Sequence, residues 1–233
     1  MIPEEALNFL YENRLHNSKE WFSEHKSAYT QLIRKPLYRF VEEMTPFFLH
    51  ADPQIVLMPQ RIISRINRDT RFSKDKALFR DTILCNFTRD KRTYPGYPSF
   101  FLEFSPAGYR YGCGYLVTPP GLMDGVRELV TAWDPDFLKA RQAAESQRLF
   151  TMQGDIYLRD HFPDQPKELA PWINRKSIYF ARSIRQSRDL LSHRFTPSLA
   201  RDYEYLIPIY HFFCKASERY RIQRMDPIHD ELE

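Results

Sequence analysis

Residues 97–117 read YPSFFLEFSPAGYRYGCGYLV. Two runs rich in aromatic residues, Tyr97 to Phe104 and Tyr109 to Val117, flank Ser105-Pro106-Ala107-Gly108. Ring-bearing side chains suit a pleated, half-buried surface, and a short segment holding both Pro and Gly reverses the chain. So short a turn leaves no room for a crossover helix, which points to an antiparallel hairpin inside a meander.

Upstream of the hairpin, Gln60 to Asp69 alternates so that Ile62, Ser64 and Ile66 share one face while Arg61, Ile63, Arg65, Asn67 and Asp69 share the other. This period of two predicts a half-buried strand. Further strands are expected at Thr82 to Thr88 and Lys176 to Ile184. On either side of this β-rich middle the period lengthens. A short helix is expected over Glu4 to Tyr11, and Asn17-Ser18-Lys19-Glu20 has the form of a capping box. Behind it, Trp21, Phe22, His25, Ala28, Tyr29, Leu32 and Ile33 recur on one helical face. Pro36 suits the first turn of the next helix, whose stripe is Leu37, Phe40, Val41, Met44, Phe47 and Phe48. Trp21 and Phe22, at the start of the first stripe, are expected in the core. Leu122 to Trp133 and Pro135 to Ala144 also read as helices, the second with Asp134 as N-cap. The C-terminal stretch from Ser198 places Leu199, Tyr203, Leu206, Ile207, Tyr210, Phe213 and Cys214 on one face, with Pro208 set to kink or interrupt the helix. With no internal repeat or Gly/Ser linker, residues 1–233 are expected to form a single α+β domain, a mainly antiparallel sheet covered by N- and C-terminal helices.

Composition narrows the class. In 233 residues, 18 Phe and 14 Tyr supply ample core, whereas 7 Gly exclude a collagen-like chain. Cys85, Cys113 and Cys214 are odd in number and widely spaced, which supports neither a disulfide framework nor a zinc ribbon. The opening MIPEEALNFLYENR carries Glu4 and Glu5 where a secretion signal needs positive charge, and no apolar run approaches a membrane span, so a cytoplasmic protein without membrane contact is expected.

The net charge of +4 is unevenly spread. Between Arg61 and Arg92 stand ten basic residues against Asp69, Asp75, Asp81 and Asp90, a local charge of +6 that leaves the remainder at −2. Arg65, Arg68, Arg71, Lys74, Lys76 and Arg80 fall within sixteen residues, and such crowding is unfavourable unless carboxylates or a bound anion neutralise it. If Arg65 and Asp69 lie on one strand face while Arg71, Lys74 and Lys76 come from the loop that follows, their donors converge. Guanidinium forks match phosphate or carboxylate, so the expected site is an anion site with ligand-binding Arg65, Arg68, Arg71, Lys74 and Lys76, and with Asp69 as orienting carboxylate or general base. An internal network of ion pairs explains the same residues without a ligand.

The stretch resembles the motif RxxRDxRFxxxKxxY of a widespread bacterial family of conserved hypothetical proteins, domain of unknown function 2461. Arg65, Arg68, Asp69, Arg71, Phe72 and Lys76 match, while Phe79 takes the place of the final Tyr. NSKEWFSEHKSAY near the start, GCGYLVTPPG with Arg127 after it, and RKSIYF at 175–180 extend the likeness over nearly the whole chain. The resemblance implies a single α+β domain and no established activity. It also implies that no phenol acts at position 79.

Other constellations point to less. The seven His have no metal-ligand spacing, so no metal site is expected and no cofactor is indicated. Asp155, Asp160, His161 and Asp164 are expected on an exposed turn. Gly112 and Gly114 are read as permitting a bulge or a close backbone approach, with Cys113 a small buried hydrophobe between them. Lys19, Glu20 and His25 stand at a helix start that could face the motif. Three readings stay open: an enzyme or binding protein for a small anionic ligand, a nucleic-acid-binding module, and a non-catalytic structural or partner-binding protein. Focal charge on an otherwise slightly acidic chain suits a small anion better than nucleic acid.

Overall fold

The computed structural model describes residues 2–71, 74–185 and 188–225. Its sheet contains β1 (Ile83–Thr88), β2 (Ser99–Ser105), β3 (Gly108–Gly114), β4 (Thr151–Gln153) and β5 (Tyr179–Ile184), in the antiparallel order β1-β2-β3-β5-β4. The hairpin read from residues 97–117 is therefore the centre of an α+β fold.

The contacts divide the chain into two compact units. The first comprises residues 1–87, 101–111 and 183–201, the second residues 88–100, 112–182 and 202–233.

In the first unit, α1 (Glu4–His16) has Glu4 and Glu5 in its first turn and Arg14 and His16 in its last, each opposing the local helix dipole. It runs past the Tyr11 limit expected for it and ends on Asn17, a left-handed residue with φ of 48°. The cap of α2 (Lys19–Glu24) is Ser18, whose Oγ accepts from the Trp21 N–H at 3.2 Å. Asn17 thus closes one helix rather than opening the next. After α3 (Lys26–Tyr29) a wide π turn over Thr30–Arg34 leads into α4 (Lys35–Ala51), with Pro36 in its first turn as expected. The α4 stripe is buried in full, and Phe48 stacks on Phe87 at 3.9 Å between ring centroids. Burial of one such ring contributes about 2–3 kcal/mol. Trp21 and Phe22, expected in the core, are only half-buried.

The expected strand over Gln60 to Asp69 is not one. Pro59 starts a helical turn, α5 (Pro59–Ile62), because its fixed φ suits a first helical position. The chain then extends and pairs at isolated points, Ile63 with Cys85 and Asn67 with Phe79. The alternation in burial survives: Ile62 and Ile66 are buried and Arg65 is exposed.

In the second unit, α6 (Leu122–Thr131) and α7 (Pro135–Ser146) pack against the C-terminal helix, with α8 (Ala170–Ile173) beside α6. Asp134 caps α7 through the Asp136 N–H at 2.9 Å and also holds Lys215 at 2.9 Å. The C-terminal helix is interrupted just before Pro208, giving α9 (Phe195–Glu204) and α10 (Ile207–Met225). Phe137, Trp172, Phe180 and Phe212 are buried and make a chain of ring contacts at 5.4–5.9 Å.

Gly112 and Gly114 allow the close approach that the sequence suggested. A Cβ at Gly112 would stand 1.9 Å from the Phe180 carbonyl oxygen, and one at Gly114, whose φ is +144°, 2.5 Å from the Tyr179 Cα. Backbone cannot give way as a flexible side chain can. We therefore expect Gly112→Ala to cost about 3 kcal/mol or more, lowering Tm by about 6 °C or more. An unchanged melting curve would contradict this packing.

Candidate functional site

The basic motif of the first unit forms a loop closed at its base, where the Arg68 N–H donates to the Leu78 carbonyl and the Arg80 N–H to the Ile66 carbonyl, both at 2.8 Å. The end of α1 grips this loop. Asn17 Oδ1 accepts from the Leu78 N–H at 2.6 Å, and Arg14 donates to the Phe79 carbonyl at 3.2 Å and to Asp75 at 2.7 Å. Arg68 donates to the same Asp75 oxygen, so two guanidinium groups share one carboxylate. The Ala77 N–H, then Arg14 and Arg68, hold the Asp75 carboxyl well below the usual carboxylate range.

Beside this clamp lies a polar cavity of about 430 Å3. Arg14, Arg68 and Arg80 line it together with Asp69, Asp81 and Glu103, and Phe79 and Leu84 add apolar wall. Asp69 is engaged by Arg71 in a two-pronged pair at 2.7 and 3.0 Å. That pair lowers the Asp69 pKa, which makes it a weaker proton acceptor and suits an orienting carboxylate better than a base. Glu103 on β2 is paired with Arg110 on β3 at 2.7 Å. Arg80 makes no side-chain hydrogen bond or ion pair with any described residue. Among the described residues, the lining groups and their ion-pair partners comprise five guanidinium groups, of Arg14, Arg68, Arg71, Arg80 and Arg110, and four carboxylates, of Asp69, Asp75, Asp81 and Glu103.

The residues singled out from the sequence are thus not all brought together. Arg68 and Asp69 line the cavity. Arg71 is 77% exposed and bound to Asp69, while Lys76 donates to the Thr70 carbonyl at 2.9 Å within the loop. Lys74 and Arg65 are exposed and outside the lining. Phe72 lies outside the described residues. Phe79 is buried, with its ring 5.0 Å from Phe22. His25 stacks on Trp21 at 4.0 Å instead of facing the motif. Arg14 and Glu103 escaped the sequence reading because they lie 61 positions before Asp75 and in a separate strand. Arg80 belongs to the charge cluster read from the sequence, and the fold adds its place in the lining without a side-chain partner among the described residues.

Elsewhere, Asp155, Asp160, His161 and Asp164 are exposed. No group of three or more His, Cys, Asp or Glu among the described residues could hold a metal ion. Burial pushes the Cys113 thiol well up and the Cys85 thiol up to about 12, so neither offers a thiolate. No helix among the described residues is long and apolar enough to cross a membrane.

These features define an α+β protein whose first unit carries an arginine-lined cavity, walled by a loop pinned through one aspartate. The chain belongs to the conserved hypothetical protein family DUF2461, whose profile matches residues 5–212 and so takes in Arg14, Arg68 and Arg80. No match is found among curated proteins.

The Asp75 clamp has a pH signature. A carboxyl group whose folded pKa is depressed stabilises the fold fully above its unfolded value near 3.8, and that contribution is lost as pH falls toward the folded value. Asp75→Asn should melt below wild type at neutral pH, with the gap constant down to about pH 4 and closing below it. Identical melting curves at pH 7 would contradict the clamp.

Proposed function

We propose that the arginine cavity binds a small molecule bearing a phosphate or carboxylate group. One observation carries the reading: Arg14 and Arg68 share a single carboxylate, and Arg80, which has no side-chain hydrogen bond or ion pair with a described residue, lines the same cavity as both. A surplus of guanidinium donors held in fixed geometry is complementary to an oxyanion, whose oxygens accept two donors at once. The volume of about 430 Å3 falls in the range of small-molecule sites. Asp69, held ionised by Arg71, and Asp81 supply acceptors for hydroxyl groups on the same ligand. In this reading Arg71 and Lys76 shape the loop, and Arg68 and Arg80 meet the ligand.

Calorimetric titration of the whole protein with inorganic phosphate, citrate and glycerol 3-phosphate tests it. At least one should bind saturably, and Arg80→Ala should weaken it by about tenfold or more, the worth of one hydrogen bond to a charged group. Lys91→Ala should leave binding unchanged. A small ligand would show a shallow salt dependence, whereas a long single-stranded nucleic acid would lose affinity steeply as salt rises. Absence of binding by all three anions, or equal binding by wild type and Arg80→Ala, would overturn the proposal.

A further inference from the structure

The arginine cavity leaves two family-like stretches unused, GCGYLVTPPG at residues 112–121 and RKSIYF at residues 175–180. Both belong to the second unit, where they meet at another cavity of about 640 Å3. Thr118, Gly154, Asp155, Lys176, Ser177 and Tyr179 are among its lining residues.

Its walls are fixed through the backbone. The Lys176 N–H donates to the Asp155 carbonyl at 2.8 Å, and the Asp155 N–H donates to Ser177 Oγ at 2.9 Å. Gly154 has a φ of +116°, and a Cβ there would lie 2.2 Å from the Ser177 carbonyl oxygen, so the turn fits tightly against the facing segment. Two arginines complete the frame. Arg127 donates to the carbonyls of Ile173 at 3.1 Å and Arg175 at 2.6 Å, and Arg175 donates to those of Pro171 at 2.5 Å and Gly154 at 3.3 Å.

With those guanidinium groups engaged, the charges left on the cavity are Asp155 and Lys176. Both side chains are exposed, and neither has a hydrogen bond or ion pair with a described residue. The Lys176 ammonium stands over the Tyr157 ring, 5.4 Å from its centroid. Two opposite charges thus border one cavity on segments hydrogen-bonded to each other, without neutralising one another. A simple anion drawn to Lys176 would meet repulsion from Asp155, and a simple cation drawn to Asp155 would meet it from Lys176. A ligand carrying both signs satisfies both. Leu116, Tyr115 and Tyr179 also line the cavity and offer contact to an apolar substituent.

We propose that this second cavity binds a small zwitterion, an α-amino acid with an apolar side chain. Its carboxylate meets Lys176 and the Ser177 hydroxyl, which accepts from Asp155 N–H and keeps its own proton to donate. Its ammonium group meets the Asp155 carboxylate. The volume lies within the range of small-molecule sites.

The test is NMR titration of the full chain with L-leucine, N-acetyl-L-leucine and L-leucinamide, which carry both charges, the carboxylate alone and the ammonium alone. Leucine should bind saturably in the millimolar range or tighter, and each capped form about tenfold or more weakly. Asp155→Asn and Lys176→Met should each weaken leucine by about tenfold or more while Tm stays at the wild-type value, because Asp155 and Lys176 hold the fold through backbone atoms that these changes leave in place. Arg80→Ala should leave leucine binding intact, which separates this cavity from the arginine cavity. Absence of leucine binding at millimolar concentration, equal binding of a capped form, or wild-type affinity in either folded variant would overturn the proposal.

Discussion

Six positive charges within sixteen residues must be neutralised or kept apart; Asp69 takes Arg71, and Asp75 takes Arg68 together with Arg14 from outside the run. The Asp75 carboxylate takes one guanidinium from within the loop, Arg68, and one from the end of α1, Arg14, and it turns the loop by accepting the Ala77 N–H. One side chain therefore does three things: it shapes the loop, ties it to a distant helix and orients two cavity-lining arginines. The pairs are partly solvated, so their worth as general stabilisers is modest. Their consequence is geometric, because one carboxylate holds two of the guanidinium groups that line the cavity.

How much of this is legible in the sequence depends on the range of the interaction. The β2–β3 hairpin, the Asp134 cap, the first-turn Pro36 and the break before Pro208 each follow from a few neighbouring residues, and each stands where the sequence put it. Gln60 to Asp69 misled because alternation in burial is also produced by an extended segment that pairs only at isolated points, and because Pro59 favours a helical turn ahead of it. Asn17 misled for a related reason. Asn serves as a cap at either end of a helix, and here a left-handed φ and the Leu78 N–H decided between them.

The cavity itself was legible in kind and not in membership. Clustered charge pointed to residues 65–80, and the lining includes Arg68, Asp69 and Arg80 from that stretch. Which arginines face inward is a matter of partners. Arg71 looks equivalent to Arg68 in sequence, yet it closes on Asp69 two positions away and stays at the surface. Arg14 and Glu103 carry no local sign of their role, since each becomes significant only through contacts 61 and 7 positions distant, with Asp75 and Arg110.

The two units treat arginine differently. In the second, Arg127 and Arg175 are bound to backbone carbonyls and act as fasteners, which leaves one carboxylate and one ammonium group at the adjoining cavity. At the cavity of the first, the lining groups and their ion-pair partners among the described residues comprise more guanidinium groups than carboxylates. That surplus is the central claim, and a crystal of the whole protein soaked in selenate, an oxyanion with an anomalous signal, tests it most directly. The account predicts an anomalous peak in the first cavity within hydrogen-bonding distance of Arg80 and of Arg68 or Arg14. Peaks confined to the exposed Arg71, Lys74 or Lys76, with the cavity holding none, would contradict it.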